Sequence, residues 1–246
     1  MQKLADINTR APKGFSKEET KAETQKIIKE LDELQNLLYA SAKYSVLIIL
    51  QGMDASGKDG LIKDIFTGIN PHGISISSFK VPTEEERSHD FLWRIHKAAP
   101  AKGTIKIFNR SHYEDVLVTR VHEMIDDETA KKKMQAINDF ESLLQTHNNT
   151  RILKFYLHVS KEEQAGRLAE RMKNPAKMWK YNPRDEKETN HRERYLKYYE
   201  EIFQHCNQPP WHIVPADQNW YKAHIVAKTL RDALKKLDMK YPLIKK

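Results

Sequence analysis

Gly52 and Gly57 bracket four residues and Lys58 follows at once, in the run Gly52-Met53-Asp54-Ala55-Ser56-Gly57-Lys58-Asp59-Gly60. The spacing G-x-x-x-x-G-K lets successive backbone N–H groups turn inward and cradle a chain of phosphates, while the lysine reaches them from the first turn of the next helix. The positive end of that helix favours the same anions. The flanks suit the motif: the apolar run Tyr44 to Leu50 leads in as a strand, and Leu61, Ile62, Ile65 and Phe66 recur behind it at helical spacing. Gly52, Met53, Ala55, Ser56, Gly57, Asp59 and Gly60 are therefore expected to bind phosphate around Lys58.

Asp59 stands where such loops usually carry Ser or Thr for Mg²⁺, and Asp54 puts a second acid inside the cradle. Two carboxylates would repel phosphate unless a hard cation intervened, and Mg²⁺ is usually bound through one or two carboxylates plus phosphate oxygens. The competing reading of Asp54 is a turn residue that bonds its own backbone. A second cluster, Asn109-Arg110-Ser111-His112-Tyr113-Glu114-Asp115, follows the candidate strand Thr104 to Phe108. At that strand end a loop of this type keeps its second metal-binding residue, usually Asp. Here it is Asn109, a neutral oxygen ligand, with Arg110 beside it as a fixed cation suited to a phosphoryl group in transfer.

The elements that position these residues follow from periodicity. Ser16 and Glu19 form a capping box before Ile27, Ile28, Leu31, Leu34, Leu37 and Leu38 at helical spacing. Ile74 to Phe79, Thr104 to Phe108, Ile152 to Val159 and Trp211 to Pro215 read as further strands. Thr83 and Glu86 cap a helix carrying Phe91, Leu92, Trp93 and Ile95, which Pro100 and Gly103 end. Helices are expected over Val116 to Met124, Asp127 to His147, Lys161 to Met172, Glu186 to Gln204 and Ala223 to Leu237. Strands alternating with helices imply a doubly wound α/β fold, its five-stranded sheet parallel and its ligand at the carboxyl ends of the strands. The expected organisation is a single domain over 1–246, with residues 1–15 an arm on the body or disordered and 160–190 a helical lid. Between Arg167 and Arg184 six basic residues face one acid, Glu170, which suits a lid over a polyanion better than a mixed solvated face.

The formal charge of +8 on 246 residues calls for an anionic partner: nucleotide, nucleic acid, polyphosphate or membrane surface. Cys206 is the only cysteine, the N-terminus has no apolar signal segment, and Val46 to Leu50 is too short to span a bilayer, so a cytoplasmic location with no membrane partner is expected. Cys206 itself reads as a structural residue near a helix end. The histidines show no zinc spacing. Lys131, Lys132 and Lys133 read as a solvated face, and Trp179, set among lysines, is the one tryptophan placed to meet a ligand.

The segments GMDASGKDG, SFKVPTEEERSHDFLWR, FNRSHYED, MWKYNPRDEKE and PPWHIVPAD together resemble the polyphosphate kinase 2 family, over nearly the whole stretch from Ser16 to Tyr241. The resemblance implies a thymidylate kinase-like P-loop kinase fold and a reversible transfer of the terminal phosphoryl group of inorganic polyphosphate to a nucleotide, with Mg²⁺ or Mn²⁺. It implies Asp54 as magnesium ligand, Lys58 as phosphate-binding lysine, Arg110 as the phosphoryl-stabilising arginine, and Arg167, Arg171, Lys177, Lys180 and Arg184 in the lid. Lys80 and Arg120 join as phosphate or nucleotide contacts. Asn109 departs from the Asp of much of the family and resembles the subgroup that phosphorylates nucleoside mono- and diphosphates, AMP, ADP and guanine nucleotides among them; Glu114 or Asp115 then supplies the missing carboxylate. A homo-oligomer without nucleic acid is the expected assembly. The alternatives are an ATP-dependent nucleotide or small-molecule kinase and a basic nucleic-acid-binding module.

Overall fold

The aliphatic run after Tyr44 forms β1 (Ser45–Gln51), every residue of which is buried. A strand apolar on both faces needs cover on both, the condition met by a parallel sheet with crossover helices. The computed structural model, which describes residues 3–180, 182 and 188–243, has that arrangement. β2 (Ile74–Ser78), β3 (Ile105–Asn109), β4 (Thr150–His158) and β5 (Trp211–Pro215) join β1 in one parallel sheet of order β2-β3-β1-β4-β5. The chain leaves β1 for the β2 side and returns past it to β4, so the crevice at the carboxyl end of β1 is where such a sheet binds ligand.

Val46, Ile48 and Leu50 share one core with α1 (Lys17–Ser41), α2 (Lys58–Phe66) and α10 (Asn219–Lys235), whereas Leu47 and Ile49 share the other with α5 (Glu114–Val121), α6 (Asp127–Asn148) and α9 (Arg192–His205). Each such buried aliphatic side chain contributes about 1.5–3 kcal/mol. Shorter helices complete the fold: α3 (Glu84–Ser88), α4 (Trp93–Lys97), α7 (Lys161–Lys173) and α8 (Pro175–Met178). Among the described residues no helix is long and apolar enough to cross a membrane.

Ser16 caps α1 through the Glu19 N–H, and Thr83 and Glu86 cap α3 reciprocally. The single helix expected beyond Thr83 is two, because His89 is extended and the Asp90 carboxylate takes the Leu92 N–H at 2.9 Å. A short acid that bonds nearby backbone offers the chain an alternative to helix. The arm from residue 3 onward lies on the body: Leu4 is buried and its N–H donates to Glu200, Thr9 Oγ1 donates to Asp217, and the Ala11 N–H donates to Gln218. The helix expected from Glu186 is seen as α9 from Arg192, and residues 183–187 lie outside those described.

Beneath the segment that follows β3 lies a buried polar cluster. Lys154 of β4 and Glu141 of α6 pair at 2.8 Å with both side chains 0% exposed. Lys154 also donates to Tyr113 Oη at 3.1 Å and the Cys206 carbonyl at 2.9 Å, and Tyr113 Oη donates to Glu141 at 2.8 Å. Burial pushes the Glu141 carboxyl up, but His112 and Lys154 outweigh it and hold it low. Burial drives the Cys206 thiol up to about 12, which makes it an inert structural residue.

Lys154→Met leaves Glu141 buried without its partner and is expected to lose about 3–5 kcal/mol of stability, whereas Lys154→Met with Glu141→Leu recovers most of it. Urea unfolding of the single and double variants measures this; a single variant within about 1 kcal/mol of the parent contradicts it.

Candidate active site

Positive φ at Gly52 (149°), Ala55 (60°) and Gly57 (90°) winds the chain between β1 and α2. Gly52 has no room for a side chain, because a Cβ would lie 2.8 Å from Ser56 Oγ and 2.9 Å from the Leu157 carbonyl. Each loop carbonyl is held by a side-chain donor. Lys58 Nζ donates to Gly52 O at 2.6 Å and Met53 O at 3.3 Å. Gln164 of α7 donates to Asp54 O at 3.1 Å, and Arg167 of α7 to Ala55 O at 3.0 Å. Lys222 of α10 donates to Ser56 O and Gly57 O, both at 3.2 Å. A loop whose carbonyls are taken by side-chain donors has backbone N–H groups to offer an anion; within it the Ser56 N–H donates to Met53 O at 3.1 Å and closes the turn. Burial first, and the charge of Arg110 second, bring Lys58 down to about 8.

Arg110 follows β3 with a left-handed φ of 63°, and its N–H donates to Leu50 O at 3.1 Å. A non-glycine residue in that conformation is held there by its surroundings. Its guanidinium bonds Asp54 through Nη2, and Nη1 donates to Glu114 at 2.8 Å. Glu114 first, then Asp54, raise its pKa despite burial, so it is a permanent cation. Gln51, at the end of β1, turns its amide nitrogen to Glu114 at 2.8 Å and its oxygen to Ser111. Gly52, Met53, Asp54, Arg110 and Glu114 line a cleft opposite Gln164, Glu188, Tyr195 and Tyr199. Glu188 is fixed by Tyr195 Oη at 2.8 Å and His122 Nε2 at 2.9 Å.

Asn109 Nδ2 donates to Asp59 at 2.9 Å, and Lys180 donates to the other oxygen of Asp59 at 2.8 Å. Burial pushes the Asp59 carboxyl up, but Lys180, Asn109 and Lys58 outweigh it and hold it low. The tip of the basic segment thus sits on the phosphate loop. Among the described residues no group of three or more His, Cys, Asp or Glu is arranged to hold a metal. Mg²⁺ is usually held by one or two carboxylates beside phosphate oxygens and waters, and the carboxylates to weigh for that are those of the cleft. Asp54 and Glu114 line the cleft, whereas Asp115 turns away to Arg94 at 3.2 Å.

Several expected contacts are placed elsewhere. Arg167 is no free lid residue: it donates to Glu163 and to the carbonyls of Ala55, Ala216 and Asp217, which makes it part of the loop's support. Arg120 is set apart from the cleft, its buried guanidinium taken by Glu201 and Asp127, each at 2.6 Å. Lys177 pairs with Glu170 at 2.7 Å, Lys80 and Gly60 are exposed, and Arg171 is half-buried. Arg184 lies outside the described residues. Trp179 is 77% exposed beside Lys180, whose Nζ lies 4.9 Å from its ring centre.

Sequence reasoning missed Gln51, Gln164, Glu188, Tyr195, Tyr199 and Lys222. Gln51 and Lys222 carried a signal. Gln51 ends an otherwise aliphatic strand, and Lys222 stands on the helical stripe of Val226 and Leu230, where an unpartnered ammonium would not be buried. The others gain their place only through packing.

The profile of the family described as Polyphosphate kinase 2 matches residues 14–242. The chain is 45% identical over 216 residues to an AMP/ADP-polyphosphate phosphotransferase of Meiothermus ruber, covering 87% of this chain and 80% of that one. It is 39% identical over 229 residues to an ADP-polyphosphate phosphotransferase of Rhodopseudomonas palustris, covering 87% and 79%. Among solved structures, a polyphosphate kinase 2 from Arthrobacter aurescens superposes with a TM-score of 0.94 at 39% identity, covering 98% of this chain and 88% of that one.

Lys58 sets a pH dependence. It is a cation below about 8 and neutral above, so binding of tripolyphosphate is expected to weaken as pH rises through that value. The unfolded chain keeps this proton to near 10.5, so between about 8 and 10.5 it binds more protons than the folded protein, and this group makes the fold more stable as pH rises. Calorimetric titration and urea unfolding of the parent and Lys58→Met check both signs; parent and variant with the same pH dependence of binding contradict the assignment.

Proposed function

The chain belongs to the polyphosphate kinase 2 family, and on that premise we propose that it transfers the terminal phosphoryl group of inorganic polyphosphate to nucleoside mono- and diphosphates. The acceptors are AMP and ADP, with guanine nucleotides beside them, and the reaction is reversible. Asn109, where much of the family carries Asp, motivates the double acceptor range, and the AMP/ADP relative supports it. The observation that carries the reading is the meeting of two cations of different kind at one loop, Arg110 lining the cleft and Lys58 bonded to the carbonyls of Gly52 and Met53 that line it. Lys58 is buried in the phosphate loop, and Arg110 is stretched between Asp54 and Glu114.

Phosphoryl transfer needs alignment and charge neutralisation more than covalent work by the protein. The loop N–H groups and Lys58 seat the phosphate chain. Arg110 presents a planar fork whose donors match phosphate oxygens, and exchange of its carboxylate partners for the group in transfer puts its charge on the equatorial oxygens. Gln51, whose amide nitrogen also donates to Tyr199 Oη, holds Glu114 in place while Arg110 makes that exchange. Lys180, docked on Asp59, holds the end of the described basic segment against the first turn of α2, beside the loop. Asp54, with the Asn109 carbonyl oxygen, would hold Mg²⁺ or Mn²⁺, which when bound supplies further neutralisation of phosphate charge. The proposal places the reaction in the cytoplasm.

Incubation with Mg²⁺, long-chain polyphosphate and each of AMP, ADP, GMP and GDP, followed by nucleotide chromatography, is expected to give the next higher phosphate of each. Transfer from ATP alone with none from polyphosphate contradicts the reading. Lys58→Met is expected to fold and to lose about a hundredfold or more in turnover. Asp54→Asn is expected to demand far more Mg²⁺, and an unchanged magnesium curve removes it from the metal site. Asn109→Asp is expected to stay active with an altered ratio of mono- to diphosphate acceptors.

A further inference from the structure

Lys222 is buried, and among the described residues no carboxylate is bonded to it, Asp64 and Glu163 acting only from nearby. Its partners are the carbonyls of Ser56 and Gly57 and the amide oxygen of Asn219 at 3.0 Å. Its side chain comes from α10, at the far edge of the sheet in sequence, and reaches the phosphate loop from behind. A Cβ on Gly57 would stand 2.3 Å from Lys222 Nζ, so the ammonium presses directly on the loop. Burial, followed by the charges of Arg167 and Lys58 against Asp64 and Glu163, brings it down to about 7. A buried cation held by neutral acceptors alone is costly to the fold, and a well-packed apolar side chain of similar length would serve stability better.

We propose that Lys222 is a positioning residue for the polyphosphate chain: it fixes the Ser56 and Gly57 carbonyls so that the loop N–H groups face the phosphates, and it adds a second buried positive charge behind them. The geometry separates it from Lys58. Lys58 bonds the entry of the loop, at Gly52 and Met53, and Lys222 bonds its exit, where the chain passes into α2. Arg167 bonds Ala55 between them. With Gln164 on Asp54, no carbonyl from Gly52 to Gly57 lacks a donor, and among the described residues the two cationic donors with no bonded carboxylate are Lys58 at the entry and Lys222 at the exit, whereas Arg167 is paired with Glu163. An anion in the concave face is the charge that this ammonium lacks.

This inference rests on the reading of the loop as the seat of the phosphate donor. The test uses the full chain and three variants: Lys222→Met, Lys222→Gln, which keeps an N–H donor without charge, and Lys228→Met, which removes an exposed lysine from the same helix. Tripolyphosphate affinity is measured by calorimetry, KM for long-chain polyphosphate and kcat with ADP by product chromatography, and folding by thermal melting. Lys222→Met, which relieves a buried amine but leaves the Ser56 carbonyl without its side-chain donor, is expected to fold and to bind tripolyphosphate about tenfold to a hundredfold more weakly, as misplacement of a remote support does. KM for polyphosphate rises in step, Lys222→Gln falls between, and Lys228→Met stays within about twofold of the parent. Should Lys222→Met not fold, Lys222→Gln gives the decision. Tripolyphosphate affinity and KM unchanged in the folded Lys222 variants, or lowered equally in Lys228→Met, overturn the proposal. Transfer by the parent is scored in the same preparations, so a parent that binds tripolyphosphate and transfers nothing overturns the activity, while the binding comparison still decides Lys222.

Discussion

The backward pull on the carbonyls of Gly52 to Gly57 is the constraint on which the site depends. A backbone segment bent at positive φ on two glycines and Ala55 has no ladder to satisfy it, and every buried carbonyl without a donor would cost about 1–3 kcal/mol. Side chains from α2, α7 and α10 meet that need, and in doing so they choose which way the peptide groups face. The sheet exists, in functional terms, to bring those helices to one end. β1 delivers the loop, β4 runs into α7, and β5 runs into α10, so three parallel strands aim their successors at the same nine-residue stretch from Gly52 to Gly60.

The second constraint is beneath Arg110. A residue held at left-handed φ needs a rigid floor, and Ser111, His112 and Tyr113 are all fully buried. Tyr113 is pinned by the Lys154–Glu141 pair, and Ser111 by Gln51. Buried polar networks of this kind are a poor source of stability but help to specify one arrangement, and here Glu141, Lys154 and Tyr113 satisfy one another while His112 Nδ1 is without a partner among the described residues. Here the arrangement specified is the direction of one guanidinium, across the mouth of the loop and onto Asp54 and Glu114.

Much of this was legible in the sequence because it is local. The loop, the strand that feeds it, the helix caps at Ser16 and Thr83, and the Asn109-Arg110 cluster all declare themselves within a few residues. The clamp was not, because its contacts join positions far apart: Lys222 meets Ser56 across 166 positions, and Arg167 meets Ala55 across 112. Arg167 was therefore read by charge as a lid residue when its hydrogen bonds make it a support. Arg120 was misread in the same way, since a basic side chain satisfied by Glu201 and Asp127 looks no different in sequence from one open to phosphate. The break at His89 and Asp90 was hidden because the Thr83–Glu86 capping box opens a helix and the apolar residues Phe91, Leu92 and Ile95 follow within one further turn or two, with no Pro or Gly between.

The central claim is that the loop is already shaped for phosphate before phosphate arrives. A crystal structure of the chain grown with Mg²⁺ and tripolyphosphate tests it most directly. The account predicts a phosphate on the concave N–H face beside Lys58, Arg110 moved from its carboxylates onto phosphate oxygens, and loop Cα atoms displaced by no more than about 1 Å, as in pre-organised sites. Tripolyphosphate bound away from the loop, or a loop whose carbonyls have left Lys222, Arg167 and Gln164, would contradict it.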